Sequence, residues 1–471
     1  MESGNNYKKL IIFDLDGVLI DSREYHFEAL NRALQQVDPQ YVISKDEHLS
    51  TYDGLSTTKK LELLTKNKGL PKESYQRIWE LKQEYTIILY EEKIKTSAKL
   101  IEIFRELRNS KRDYYIGVAS NSIKKTMDIA LKALGVRAMI DCVVSNEDVE
   151  KTKPYPAMYW KIMNATHAIP STTIIIEDSH IGRQAAIDSG ATLLPVENPD
   201  DLTLDKVLAM CDNLENKMNS GKNIPWRDSK LNVLIPMAGA GSRFQQAGYS
   251  FPKPLIDVRG KPMIQVVVEN LNIEANFIYI VQKEHYDEYH LKYLLNLITP
   301  GCTIVQLDEI TEGAAETVLT AKDHINNENP LLIVNSDQFI EWNSNEVMYA
   351  FSADQIDGGI LTFKSTHPKW SYVKLDDRGF VSELAEKKVI SDIATVGIYY
   401  WRFGEDFVWN AEEMMNHDDK RINGEWYVAP VFQEAIEDSD AKIRVKHIDK
   451  MWGLGTPEDL QYFLNNYKGK I

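Results

Sequence analysis

The chain has 471 residues, 43% apolar and 26% charged, which are globular values in a chain too long for one hydrophobic core. Its net charge of −16 argues against nucleic acid or an anionic membrane surface as a partner. Cys142, Cys211 and Cys302 are too scattered for a disulfide framework or a zinc site, no run is apolar enough to span a membrane and no signal peptide is evident, so a reducing cytoplasm is expected.

The run KLIIFD (9–14) reads as a buried strand, as do YYIGVAS (114–120), TTIIIED (172–178) and TLLPV (192–196). Turn residues and helix-length segments separate them, which predicts an α/β domain with a parallel sheet. Helical periodicity over about 20–105 predicts a helical insertion beside that sheet. Within it, Lys59 and Lys60 read as a solvated helix start capped by Ser56 or Thr57. The polar stretch 213–229 predicts a linker between a domain over 1–212 and a second over 230–471. A second α/β series follows in LNVLIPM (231–237), FIYIVQ (277–282), CTIVQLD (302–308), PLLIVNSD (330–337), GGILTF (358–363) and TVGIYYW (395–401).

Carboxylates at the tip of a parallel strand face the ligand crevice, and Asp14 and Asp16 stand at such a tip. One such acid can attack phosphorus while the other protonates the leaving oxygen. Ser120 ends the second strand as a hydrogen-bond donor to phosphate. Lys153, in the Pro-bracketed loop KTKPYP, can screen the charge between nucleophile and phosphate. Glu177 and Asp178 are hard oxygen ligands suited to Mg²⁺.

In DLDGV, VASNS, KTKPYP and EDS, residues 7–196 resemble the haloacid dehalogenase superfamily. The resemblance implies a HAD-like Rossmannoid sheet whose helical insertion is the cap. It further implies Asp14 as nucleophile, Asp16 as general acid/base, and Ser120, Asn121 and Lys153 as phosphate holders. Asp14, Asp16 and Asp178 are the implied Mg²⁺ ligands. Hydrolysis of a phosphate monoester through an aspartyl-phosphate is expected, with a phosphoglucomutase-like mutase as the alternative.

In the second half, LIPMAGAGSRF places Gly239, Ala240, Gly241 and Ser242 after a strand, where backbone N–H groups can approach a polyphosphate. Arg243 and Lys253, the latter in PKPL, are cations placed to meet a triphosphate. These segments resemble the nucleotide-sugar pyrophosphorylase, or sugar-phosphate nucleotidyltransferase, family over about 231–471. The resemblance implies a mixed α/β Rossmann-like domain. It assigns base and ribose to the segment holding Gly313, catalytic Mg²⁺ to Asp337 and the sugar to Glu386 and Lys387. WGLGTPEDL (452–460) resembles the segment that supplies a second metal carboxylate, yet the position expected for it is Gly453, leaving Asp449 upstream or Asp337 alone. Trp370, Tyr372, Trp401, Trp426, Tyr427 and Trp452 suit sugar stacking, although most read as core.

The joint expectation is a cytoplasmic bifunctional enzyme of activated-sugar biosynthesis, of the kind used for capsular polysaccharide. Its C-terminal domain transfers a nucleotidyl group from a nucleoside triphosphate, with CTP favoured, to a sugar or polyol phosphate and releases pyrophosphate. A homo-oligomer is left open. The alternative for this domain is a nucleotide-sensing pseudoenzyme attached to a phosphatase.

Overall fold

A computed structural model describes residues 7–52, 55, 57–109, 111–219, 224–239, 241–354, 356–448 and 450–469. The chain divides into two compact units, 1–222 and 223–471.

The first unit is built on five parallel strands: β1 (Lys9–Phe13), β2 (Tyr114–Ala119), β3 (Cys142–Val144), β4 (Thr173–Glu177) and β5 (Thr192–Pro195). Their order is β3-β2-β1-β4-β5. Leu10 to Phe13 are fully buried, as a parallel strand covered on both faces requires. Because β1 lies between β2 and β4, the connections diverge at its C-terminal end and leave a crevice there. Asp14 is the first residue beyond that end, fixed by its N–H donating to the Ile176 carbonyl at 3.0 Å.

The insertion holds helices Arg23–Val37, Thr57–Lys68 and Tyr75–Lys93 around a core of its own that includes Leu30, Leu34, Leu64 and Ile78. It ends earlier than expected. Helix Ala98–Arg108 buries Leu100, Ile103, Phe104 and Leu107, one stripe at helical spacing, and Phe104 meets Phe13 of β1 with ring centroids 4.9 Å apart. This helix covers the sheet; its periodicity is that of the insertion helices, so the sequence hides the boundary.

The expected linker is also corrected. Residues 213–219 belong to helix Leu204–Asn219, anchored by buried Val207, Cys211 and Leu214, and a strand begins at buried Trp226. Residues 220–223 lie outside the described residues.

The second unit contains β6 (Trp226–Pro236), β7 (Asp257–Val258), β8 (Lys261–Pro262), β9 (Ile273–Gln282), β10 (Thr303–Leu307), β11 (Leu331–Val334), β12 (Gln338–Glu341), β13 (Gly358–Lys364), β14 (Tyr372–Leu375), β15 (Val381–Ala385), β16 (Ile393–Trp401), β17 (Ile443–His447) and β18 (Lys450–Gly453). The main sheet runs β10-β9-β6-β11-β16-β13-β17, with β14 beside β16 and β15 beside β14. Strands β10, β9, β6 and β11 are parallel, whereas β16 runs antiparallel to both its neighbours. A core including Leu234, Ile280, Ile333 and Phe432 fills this unit, with Trp401 stacked on Phe432 at 4.3 Å. Strand β6 lies between β9 and β11, so a second crevice opens where β6 and β11 end.

Candidate active sites

In the first unit, oxygens of Asp14, Glu177 and Asp178 lie within 4.8 Å of one another. Lys153 reaches them from its loop. Its Nζ donates to Asp14 Oδ1 at 2.6 Å, to Glu177 Oε1 at 2.5 Å and to the Ala119 carbonyl at 2.9 Å. Tyr159 donates its hydroxyl to the same Glu177 oxygen at 2.5 Å. Burial pushes the Asp14 carboxyl well above its usual range against the pull of Lys153, and Glu177 and Asp16 add to the rise. Burial and Glu177 raise Asp178 as well, and its Oδ1 is buried with no hydrogen-bond partner.

Three carboxylates facing one ammonium, with an orphaned oxygen among them, fit a hard divalent cation. The turn after β1 is shaped for this. Gly17 has φ +92°, and a Cβ there would stand 2.0 Å from Asp178 Oδ2.

Asp16 does not join this group, contrary to its expected place among the metal ligands. Its Oδ2 accepts from Ser120 Oγ at 3.0 Å and Ser122 Oγ at 2.8 Å. Its Oδ1 accepts from the Tyr90 hydroxyl at 3.1 Å and lies 3.3 Å from His26 Nε2. Burial alone would raise Asp16, but the hydrogen bond and charge of His26, with Ser22 and Ser122, hold it well below the usual carboxylate range. Asn121 pins the Lys153 backbone, accepting its N–H at 3.2 Å.

His26 and Tyr90 come from the helical insertion, as does Lys82, whose Nζ is 3.3 Å from His26 Nδ1. Burial lowers Lys82 to about 8. Burial and Lys82 lower His26, and Lys60 adds to the fall. Lys60 is therefore half-buried beside this cluster rather than freely solvated; Ser56 lies outside the described residues. Tyr159, Ser122, His26, Tyr90 and Lys82 escaped the sequence analysis. Only Ser122 stood inside a recognised motif; the insertion residues carry no motif of their own.

In the second unit two cavities meet. One of about 420 Å³ is lined by Gly239, Gly241, Gly313, Thr317 and Glu425 among others. The other, of about 590 Å³, is lined by Arg243, Trp370, Ser371, Glu386, Lys387 and Asp459 among others. Lys253, Asn335 and Asp337 line both. Asp337 follows β11, and Lys253 Nζ donates to its Oδ2 at 2.5 Å. Gln282 holds the loop after β6, donating to the Ala238 and Gly239 carbonyls at 2.7 and 3.2 Å. Ser242 is exposed at the start of the short helix Ser242–Gln246 and lines neither cavity. Ala240 lies outside the described residues.

Burial raises the Glu386 carboxyl, which accepts a hydrogen bond from Ser371 Oγ. Of the six aromatics singled out, Tyr372, Trp401, Trp426 and Trp452 are buried, while Trp370 and Tyr427 line the larger cavity. Asp449 lies outside the described residues. The three atoms nearest to where a Cβ on Gly453 would stand all belong to Asp459, at 3.4 to 3.5 Å. Asp459 lies in the first turn of the helix Pro457–Asn466, six residues on from Gly453 and inside WGLGTPEDL, but the register of that segment pointed to Gly453 instead.

Residues 232–468, half of the chain, match the family model for nucleotidyl transferases. The chain belongs to that family. Residues 11–196 match the model for haloacid dehalogenase-like hydrolases, so the protein joins a hydrolase domain to a nucleotidyltransferase domain. The second domain is similar to the bifunctional protein GlmU of Methanocaldococcus jannaschii, 29% identical over 174 residues, 36% of this chain and 39% of that protein. This chain thus matches about two fifths of the length of GlmU. Pyrophosphatase PpaX of Bacillus mycoides is 26% identical over 178 residues, 36% of this chain and 74% of that protein. Among solved structures, a nucleoside-diphosphate-sugar pyrophosphorylase from Vibrio cholerae aligns with TM-score 0.45 and 26% identity, covering 50% of this chain and 100% of that one. No helix among the described residues is long and apolar enough to cross a membrane.

Proposed function

We propose that the second domain joins a nucleoside triphosphate to a sugar or polyol phosphate and releases pyrophosphate, and that the first domain hydrolyses a phosphate monoester. The observation that carries the reading is the meeting of two cavities at Lys253 and Asp337. Two substrates with reacting phosphates need such a shared wall, with cationic charge on it. The smaller cavity takes the nucleotide and the larger the acceptor, whose hydroxyls meet Ser371 and Glu386. An acceptor phosphate oxygen attacks the α-phosphorus, the bond to the bridging oxygen breaks and pyrophosphate leaves. Arg243, Lys253 and Lys387 offset the charge. Mg²⁺ at Asp337 supplies further neutralisation of the triphosphate when bound. CTP is the favoured nucleotide, and capsular polysaccharide the favoured destination of the product.

In the first domain the Asp14 carboxylate attacks phosphorus and the bond to the leaving oxygen breaks. Asp16, ionised in the resting site, takes up a proton as the substrate's phosphoryl charge arrives beside it, gives that proton to the leaving oxygen, then takes one from the water that opens the aspartyl-phosphate. Ser120 and Lys153 orient the phosphoryl oxygens, and Asn121 fixes the Lys153 loop. Asp14, Asp178 and Glu177 would hold Mg²⁺, which neutralises phosphoryl charge. A mutase is the second reading, favoured by the burial of Asp14 and by the closure of His26 and Tyr90 from the insertion over Asp16, which keeps water from the aspartyl-phosphate.

The test is pyrophosphate release by the Asp14→Asn protein, crossing five nucleoside triphosphates with a panel of sugar and polyol phosphates. Silencing the hydrolase protects the acceptors. Release with one pair, lost in Asp337→Ala while hydrolysis by that single variant persists, is expected. No release with any pair, despite nucleotide binding, would make the second domain a sensor.

A further inference from the structure

One line of side chains joins the two cavities of the second unit. Glu425 lines the smaller cavity and Lys387 the larger. Tyr427 stands between them. Its hydroxyl donates to Glu425 Oε2 at 2.5 Å and accepts from Lys387 Nζ. The Lys387 ammonium also lies over the Tyr427 ring, 4.3 Å from its centroid.

Lys387 makes this contact from an unusual backbone. Its φ is +53°, a left-handed conformation uncommon for a residue with a side chain, and its N–H donates to the Trp370 carbonyl at 3.1 Å. Strain of this kind persists only where surrounding contacts enforce it. Burial and the hydrogen bond to Glu425 raise the Tyr427 phenol, so it keeps its single proton. The polarity of the chain is therefore fixed: Lys387 gives to Tyr427, and Tyr427 gives to Glu425.

We propose that Tyr427 is a positioning residue that reports nucleotide occupancy to Lys387. With the smaller cavity empty, Glu425 and Tyr427 keep the Lys387 ammonium tied to the wall of the acceptor cavity, its charge engaged by the Tyr427 hydroxyl and ring. A bound nucleoside triphosphate offers ribose hydroxyls to Glu425, which then releases Tyr427 and with it Lys387. The freed ammonium meets the acceptor phosphate, so the acceptor is engaged after the nucleotide. This rests on the nucleotidyltransferase reading of the site.

The test is amine labelling of the full-length Asp14→Asn chain, read per lysine by peptide mass spectrometry. The probe is an equimolar mixture of CTP, UTP, GTP, dTTP and ATP with Mg²⁺. Lys253 serves as the internal reporter of nucleotide binding, because it lines both cavities. The nucleotides should slow labelling of Lys253 and speed that of Lys387 by about fivefold, the factor implied by losing one ordinary hydrogen bond. With Tyr427→Phe added, which keeps the ring, Lys387 should label at the fast rate from the start, and nucleotides should not speed it further. If Lys253 is protected but Lys387 is not released, or is released equally in both proteins, the coupling is wrong and the nucleotide site stands. If Lys253 is unprotected by every nucleotide, the nucleotidyltransferase reading falls, and the coupling with it.

Discussion

Replacing Lys153 by methionine tests whether the buried acidic centre needs the Lys153 ammonium. The Lys153 side chain is 3% exposed and is shared between Asp14 and Glu177, themselves 9% and 0% exposed. Removing one partner of a buried ion pair costs about 3–5 kcal/mol, because the remaining charge is left unpaired in low dielectric. Here a carboxyl can take up a proton instead, since burial already pushes Asp14 upward, so the lower end applies. About 3 kcal/mol is roughly a hundredfold in the opening equilibrium. Hydrogen exchange of the β1 and β4 amides at pH 7 reads that quantity within the first unit. Those amides should exchange roughly a hundredfold faster in the variant. Acid should shrink the difference, because protonated Asp14 no longer needs the ammonium. Mg²⁺ at a hundred times its dissociation constant should recover about 2.7 kcal/mol, if it binds only the folded centre. Phosphatase activity should vanish and pyrophosphate release persist. Exchange at the wild-type rate without Mg²⁺ would refute the reasoning, because the three carboxylates would then be tolerating one another unaided.

A Cβ on Gly455 would stand 2.6 Å from Asp337 Oδ2, so Gly455→Ala should displace that carboxylate from Lys253. Pyrophosphate release should fall roughly a hundredfold, as a displacement of about 1 Å implies, with hydrolysis unchanged. Glu386→Gln should stabilise the second unit at pH 7 in thermal unfolding: burial raises the Glu386 carboxyl, so its ionised form opposes folding. That advantage should fade as pH falls from the raised folded value toward the ordinary glutamate value of 4.5, below which the residue is protonated in both states. Lys82 falls from 10.5 to about 8, so its protonated form also opposes folding. Lys82→Met should therefore stabilise the first unit by up to about 3 kcal/mol at neutral pH, an advantage shrinking between pH 8 and 10.5 as the native amine loses its proton.

Much of the architecture is legible in the chain because the central strands are continuous apolar runs. LIIF and LLIV have no alternation, which marks strands buried on both faces, and each delivers its functional acid within a few residues of its end. What escaped is short or only half-buried: β3 has three residues, and β14, β15, β17 and β18 mix buried with exposed positions. The boundaries failed for another reason. Helix Ala98–Arg108 and the insertion helices share one periodicity, and no local signal says which layer receives the apolar stripe. Within the sites, sequence could nominate Asp16 as an acid but not its surroundings. Ser120 and Ser122 come from one strand end, while His26 and Tyr90 come from the insertion, and only the fold brings them together.

The chemistry of the two domains constrains what each can accept. A hydrolase that removed the phosphate from the nucleotidyltransferase's acceptor would destroy the substrate its own chain needs. The conflict disappears if the first domain removes one phosphate of a bisphosphate and leaves the other. It also disappears if that domain moves a phosphate within the molecule, or acts on a different compound. The helical insertion is where such discrimination has to reside, because Asp14, Lys153 and the acidic group recognise only a phosphoryl group and its charge. His26 and Tyr90 already bring insertion residues to Asp16, and Lys82 stands behind His26. Selection by these residues predicts that the acceptor phosphate used for pyrophosphate release is a poor substrate for the hydrolase. A mixture containing both substrates with the wild-type chain should yield nucleotide-linked product in nearly the amount made by Asp14→Asn. A product yield collapsing in the wild type, with inorganic phosphate rising in step, would show that the insertion does not discriminate.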